Sequence, residues 1–267
     1  MTTVIGYLAK KIFTDGGMAG VLGKTSKGIY LTTPSRWVIF CTWGCFCSPL
    51  TMIIDRGGNE FDRAVIGMEA QFGSNSLSIP EAGIVVSLEE SLEWIPKRPL
   101  ENLPRIIDSR ERIDWLVRIV INIKTSSGEI AEAESPWVMD VGRLEEALVQ
   151  QLGAGEGLTP SGDDFVIGFL LAVNRYKVSF WRNDDLESLN RRVVGAGYQK
   201  TTRLSANLIE MATWGESDER LVNAMDYIQG ADYSREKIAG DLAGWGHSSG
   251  LAVLAGIAAA IRYRKVH

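Results

Sequence analysis

The chain has 267 residues, of which 45% are hydrophobic and 23% charged, a composition typical of one large globular domain or two small ones. Its formal net charge of −5, with dispersed lysines and arginines, excludes a general attraction to nucleic acid or an anionic membrane. The N-terminus lacks the basic start and apolar core of a signal peptide, and the longest apolar run, residues 251–261, is too short to span a bilayer. We therefore expect a cytoplasmic protein that binds neither nucleic acid nor membranes.

The three cysteines all lie within a single seven-residue segment, at Cys41, Cys45 and Cys47. An odd, clustered set does not indicate a disulfide framework, and a thiolate metal site usually needs four ligands. We expect buried or half-buried thiols that act as small hydrophobic groups. A reactive thiol or an opportunistic metal site is the alternative, and the sequence identifies neither a metal site nor a cofactor.

The first hundred residues have the pattern of a β-rich fold. Short runs of β-branched and aromatic residues alternate with glycine-rich turns, which favours a compact sheet or small barrel. A Ser-Lys-Gly turn within residues 19–31 predicts a hairpin. The other predicted strands are residues 3–8, 37–43, 51–55 and 83–88.

A segment with three prolines, residues 95–104, cannot form regular structure and predicts a boundary between a β-rich domain, 1–100, and a helical domain, 101–267. Residues 105–124 fit either a helix or a strand, and we favour a helix. From residue 140 onward the apolar period is helical, as with Val141, Leu144 and Leu148. Further helices are predicted at 161–176, 186–194, 204–211, 217–228, 234–242 and 251–262. The fold class is α+β.

The most distinctive stretch is the loop at residues 153–165, which contains four glycines and two adjacent acids before an apolar helix. Glycine allows positive φ or the close approach of a ligand, so residues such as Gly157 and Gly162 are candidate binding positions together with Thr159. A helix N-terminus favours anions. Ser161 is a candidate N-cap as well as a binding residue.

The acid pair Asp163 and Asp164 complicates an anion site, because two carboxylates repel an anion. They suit a ligand that presents a cation, an ammonium or an amide donor, and we take both as candidate catalytic residues. In the plainer alternative, Asp164 reaches back to cap the helix and the glycines only turn the chain. The loop is neither a Walker loop nor a dinucleotide fingerprint.

Two further segments carry polar groups at predicted helix starts. His247, within residues 244–250, is a candidate catalytic acid, base or donor, and the neighbouring Ser248 and Ser249 are candidate binding residues or N-caps. At the start of another helix, Thr202 and Arg203 offer a hydroxyl and a guanidinium for a carboxylate or phosphate. If the three loops meet, they form one polar cavity for a small carboxylate or phosphate ligand. A structural histidine and a surface arginine are the alternatives.

At these residues the sequence resembles the AllH-like subunits of oxamate carbamoyltransferase. The resemblance rests on Gly-Glu-Gly-Leu-Thr-Pro-Ser-Gly-Asp-Asp-Phe at 155–165, Thr-Arg-Leu-Ser at 202–205 and Gly-His-Ser-Ser-Gly at 246–250. It implies a transferase subunit in allantoin or purine catabolism, within a multi-subunit enzyme that converts oxalurate and phosphate into oxamate and carbamoyl phosphate. The N-terminal half matches that family only in general character. The Thr-Thr-Arg at 201–203 also resembles the phosphate motif of aspartate and ornithine carbamoyltransferases, although the surrounding chain does not.

We therefore expect a carbamoyltransferase-type subunit that works with other protein subunits. In this hypothesis Asp163 and Asp164 orient an amide or a metal, and Arg203 holds a carboxylate or phosphate. A non-catalytic binding or assembly subunit is the main alternative. A stand-alone metal-dependent phosphotransferase is a third.

Overall fold

The computed structural model describes residues 3–44, 46–54, 60–73, 75–100, 106–127, 144–176 and 183–263. The chain divides into two compact units, Met1–Pro96 and Lys97–His267. That residues 1–100 and 101–267 are separate domains stays a prediction.

The first unit is a β-rich body. Its described residues form a nine-stranded sheet that curls into a half-barrel, in the order β8-β7-β6-β2-β3-β4-β5-β1-β9. Neighbouring strands are antiparallel except for the parallel pairs β1–β9 and β4–β5. The strands are Val4–Gly6 (β1), Gly17–Thr25 (β2), Gly28–Thr32 (β3), Val38–Thr42 (β4), Thr51–Ile53 (β5), Glu69–Gly73 (β6), Ser76–Ile79 (β7), Ile84–Ser87 (β8) and Leu92–Trp94 (β9).

The structure confirms the α+β class and most of the predicted strands. The hairpin is confirmed as β2 and β3, which turn at Ser26 and Lys27. The strand predicted at 3–8 is partly wrong, because a helix, Tyr7–Asp15 (α1), begins after β1. Ala9, Ile12 and Phe13 are the buried face of that helix, a short period of three and four residues that the strand prediction overlooked. The strands β6, β7 and β9 were not predicted.

The cysteine segment behaves as expected where it is described. Cys41 is fully buried in β4, and Cys47 is half-buried. Burial raises the pKa of the Cys41 thiol above its ordinary value, because the thiolate would lose its hydration. Cys45 lies outside the described residues.

The described part of the second unit is helical, with no strand. The helix favoured over residues 105–124 is confirmed as α2, and the central apolar helix as α4. Val141 lies outside the described residues. The helices are Ile106–Ser126 (α2), Leu144–Gln151 (α3), Ser161–Arg175 (α4), Asn183–Lys200 (α5), Arg203–Thr213 (α6), Glu219–Ile228 (α7), Arg235–Ala243 (α8) and Ser249–Tyr263 (α9).

The core of this unit is built around α4, which is buried on all sides from Gly162 to Arg175. It packs most extensively against α9, and glycines let the two helices approach closely. A Cβ atom at Gly168 would meet the carbonyl oxygen of Val253, and one at Gly256 would meet that of Phe165. Glycine is therefore a packing requirement in both helices, since any side chain at these two positions would push the helices apart.

Three helices of this core run in the same direction. Asp164 contacts Ser249 where α4 and α9 begin, and Gly168 lies against Val253 further along both. Helix α6 starts beside the loop before α4. It ends beside the last residue of α4, Arg175, which donates to the carbonyl of Gly215. The N-termini of α4, α6 and α9 therefore lie at one end of the unit.

Among the described residues, no helix combines the length and apolar character needed to cross a membrane.

Candidate functional site

The glycine loop between α3 and α4 has the backbone that its sequence predicts. Gly153, Gly155 and Gly157 have φ of 77°, 113° and 93°, in the region that favours glycine. The backbone of Gly155 lies against Ser161, whereas the space beside Gly157 is open. Gly157 therefore lies on an exposed part of the loop that a ligand can approach without meeting a side chain.

The start of α4 differs from the prediction in one respect. The helix begins at Ser161, so Pro160 occupies the N-cap position and Ser161 makes no capping hydrogen bond. The predicted Ser161 N-cap is wrong because Ser161 is already helical, and the carbonyl of Pro160 accepts from the N–H groups of Asp163 and Asp164. Gly162 is buried, and a side chain there would meet the carbonyl of Gln151 at the end of α3.

Asp163 ties the glycine loop to the segment before α6. One carboxylate oxygen accepts from the backbone N–H of Gly153 at 2.8 Å, and the other accepts from the hydroxyl of Thr201. The residue is fully buried. Both oxygens are thus occupied by the protein itself, which gives Asp163 a role in holding the two segments together.

The segment before α6 is joined to the same loop. Thr202 caps α6 by accepting from the N–H of Ser205 at 3.1 Å, and it donates to the carbonyl of Leu158 at 2.7 Å. Ser205 donates to the same carbonyl at 3.4 Å. Each hydroxyl has one hydrogen, and these hydrogens go to protein atoms. Arg203 is the exposed first residue of α6, at the positive end of the helix dipole.

Asp164 has a different environment from its neighbour. It is 1% exposed, and the Ser249 hydroxyl at the start of α9 donates a hydrogen bond to its carboxylate. Burial raises the pKa of this carboxyl to about 7, the nearby charge of Asp163 raises it further, and the bond from Ser249 opposes both effects. Its Oδ2 atom is buried and has no hydrogen-bond partner in the described part of the chain. Asp164 can therefore hold a proton near neutral pH or accept a new hydrogen bond.

The loop before α9 brings the third predicted segment to this place. Ser249 is half-buried as the first residue of α9, while His247 and Ser248 are exposed. Within the described residues, His247 makes no hydrogen bond or ion pair with the acid pair. The structure therefore joins Ser249 to Asp164 and leaves His247 at the surface of the same loop.

A residue that the sequence reasoning missed also contacts this loop. Lys124, in the last turn of α2, is fully buried, and its ammonium donates to the carbonyl of Gly246 at 2.9 Å. It lies on the buried face of the helix with Ile113, Leu116 and Val120. Once the segment is taken as a helix, a lysine in phase with three buried apolar residues is the signal that finds it.

The arrangement combines donors and an acceptor at one end of the helical unit. Three helix N-termini supply positive dipole ends, which favour an anion. Asp164 supplies a buried acceptor that can also carry a proton. Among the described residues, no group of three or more His, Cys, Asp or Glu side chains could hold a metal ion. Such a site fits a small ligand with both an anionic group and an N–H group.

Comparison with known proteins finds a match for this part of the chain. Searches of curated proteins and of solved structures give no significant match. The predicted resemblance is confirmed over residues 151–261, the segment that begins at the end of α3 and holds all three loops, where the chain matches the model of the family described as oxamate carbamoyltransferase subunit AllH.

Proposed function

We propose that this chain is a subunit of a carbamoyltransferase-type enzyme and binds a small carboxylate or phosphate ligand at the N-termini of α4, α6 and α9. The reaction we propose converts oxalurate and phosphate into oxamate and carbamoyl phosphate. The observation that carries the proposal is the junction of three loops around Asp164, a buried carboxyl with one unpartnered oxygen. The family is described as a subunit of oxamate carbamoyltransferase, which supports the proposal and also the presence of other protein subunits.

Two kinds of group in the site suit two different parts of the ligand, its anionic group and its carbamoyl group. The helix N-termini and the exposed guanidinium of Arg203 favour the carboxylate or phosphate. Asp164 suits the carbamoyl part, because a carboxylate oxygen accepts from an amide N–H and a protonated carboxyl can return a proton to a departing nitrogen. His247 and Ser248, exposed on the loop before α9, supply further donors. Asp163 holds the loops in place.

The second candidate function is a non-catalytic binding or assembly subunit. One observation favours it: Asp163, Thr201, Thr202 and Ser205 all donate to or accept from the chain itself. Loops ordered in this way also make a rigid surface for a partner protein. In that case the chemistry belongs to another subunit.

Titration calorimetry with oxalurate, oxamate, phosphate and carbamoyl phosphate separates the two functions. We expect at least one ligand to bind the purified chain or its complex with partner subunits. Arg203→Met should weaken that binding at least tenfold, about 1.4 kcal/mol, because the anion loses its guanidinium partner.

Arg235→Met is the matched control. Arg235 is also an exposed first residue of a helix, α8, behind a capping side chain, that of Ser234. Its substitution should leave binding unchanged. Binding that both variants retain, with activity of the assembled complex intact, would favour the assembly subunit.

A further inference from the structure

Lys124 connects α2 to the candidate site. Its side chain is fully buried, and moving an ammonium group out of water is costly unless polar groups receive its hydrogens. One of those groups is the carbonyl of Gly246, in the loop that leads into α9. Helix α2 also packs against α9 and α8, so the lysine lies between the body of the unit and this loop.

The loop that Lys124 contacts determines where Ser249 lies. Gly246 has φ of 58°, and a Cβ atom there would be 3.1 Å from the Ser249 hydroxyl oxygen. The carbonyl that Lys124 binds and the hydroxyl that binds Asp164 therefore belong to one tight turn. A shift of the Gly246 peptide moves Ser249 relative to Asp164.

We propose that Lys124 is a positioning residue of the candidate site, which holds the loop before α9 so that the Ser249 hydroxyl donates to the Asp164 carboxylate. The inference rests on the proposed function only in taking Asp164 as part of the site. Lys124 lies outside the segment that matches the family, so its role comes from these contacts alone.

Several groups set the ionisation of Asp164, and they act in opposite directions. Asp163, on the same helix, opposes its ionisation, while the Ser249 hydroxyl of α9 favours it. The ammonium of Lys124, from α2, donates to the Gly246 carbonyl, so it acts on Asp164 through the position of Ser249. Thr201, before α6, reaches Asp163, and His247 is exposed on the turn. Loss of Lys124 loosens the turn that holds Ser249, and so weakens the hydrogen bond that favours the Asp164 carboxylate.

The test follows the Asp164 carboxyl by carbon-13 NMR in the ligand-free chain labelled at aspartate, with Asp164→Asn to assign the signal. In Lys124→Met, a side chain of similar length without donors, the pKa should rise by about one pH unit. Ser249→Ala should raise it in the same direction. Lys124→Arg, which keeps the charge and the donors, should restore most of the wild-type value.

Val120→Ala is the control for general loosening, since Val120 is buried on the same face of α2. It should leave the Asp164 titration unchanged. An unchanged pKa in folded Lys124→Met overturns the proposal, as does an equal rise in Val120→Ala. If Lys124→Met does not fold, an unchanged pKa in Ser249→Ala overturns it. The titration needs no ligand, so a failure of ligand binding counts only against the proposed function.

Discussion

At the scale of the residue, the two adjacent aspartates differ in what surrounds them. Asp163 has both oxygens bound by Gly153 and Thr201, whereas Asp164 has one oxygen without a partner in the described chain. Neighbouring residues on a helix point about 100° apart, so they face different elements. Asp163 therefore acts as a tie between loops, and Asp164 is the titratable group.

Asp164→Asn should remove a pH dependence of stability. The pKa of Asp164 is raised to about 7 in the folded chain, from an ordinary value near 3.8. Between these values the folded state keeps a proton that the unfolded state has released, so the free energy of unfolding falls as pH rises. Each unit of difference corresponds to about 1.4 kcal/mol.

Urea denaturation of both proteins between about pH 4 and pH 8 checks this prediction. The wild type should lose stability relative to Asp164→Asn as pH rises towards 7, and the difference should level off above it. A difference that is constant across the range would show that Asp164 holds no proton in the folded chain.

The sequence identified these residues as a group but not their separate roles. Two acids after a glycine-rich loop predicted a site, and the positive φ of Gly155 and Gly157 is confirmed. The difference between the acids depends on Thr201 and Ser249, which are distant in the chain. No local sequence pattern predicts which hydroxyl donates a hydrogen bond to which carboxylate.

At the scale of the element, some glycines pack helices together and others occupy open turns. The sequence reasoning assigned the glycines of the loop at residues 153–165 to turns and ligand approach, and expected small residues in the last helix to let helices approach closely. In the structure, Gly168 and Gly256 lie where the backbones of α4 and α9 touch. The central position of α4 follows from this contact.

Gly256→Ala should destabilise the chain. A Cβ atom at Gly256 meets the backbone of Phe165, which cannot rotate away as a flexible side chain can. Overpacking of this kind typically costs about 1–3 kcal/mol, and the loss should appear as a lower urea midpoint.

Gly195→Ala is the matched control within α5. Gly195 is exposed and a Cβ atom there meets nothing within 4 Å, so alanine should stabilise the helix by roughly 0.5–1 kcal/mol. Equal effects of the two substitutions would mean that helix propensity, and not the α4–α9 contact, determines the outcome.

How much of the fold could be predicted depends on element length. Long apolar periods predicted helices at residues 161–176 and 251–262, and the bounds of α4 and α9 lie within two residues of these. The short elements α1, β6 and β9 were missed, because a few residues carry too little pattern to separate helix, strand and turn. Their structure comes from tertiary contacts in the sheet.

At the scale of the whole molecule, the helical unit has a polar junction at each end of α4. One end holds the candidate site. At the other, Arg175 pairs with Asp226 of α7 at 2.9 Å and donates to the carbonyls of Gly215 and Lys97, at 3.2 Å and 2.9 Å. Helix positions could be predicted from the sequence, but helix directions could not, so the meeting of three N-termini at one end was beyond prediction.

Arg175→Met should destabilise the chain strongly. Arg175 and Asp226 are almost fully buried, and Tyr176 also donates to Asp226 at 2.8 Å. Removing the guanidinium leaves a buried carboxylate and two carbonyls without their cation, which typically costs about 3–5 kcal/mol. The exposed pair Arg192–Glu145 supplies the control, because Arg192→Met should change the free energy of unfolding by less than about 1 kcal/mol. Urea denaturation monitored by far-UV circular dichroism measures both. Similar small losses would show that packing of α4, and not the ion pair, holds that end together.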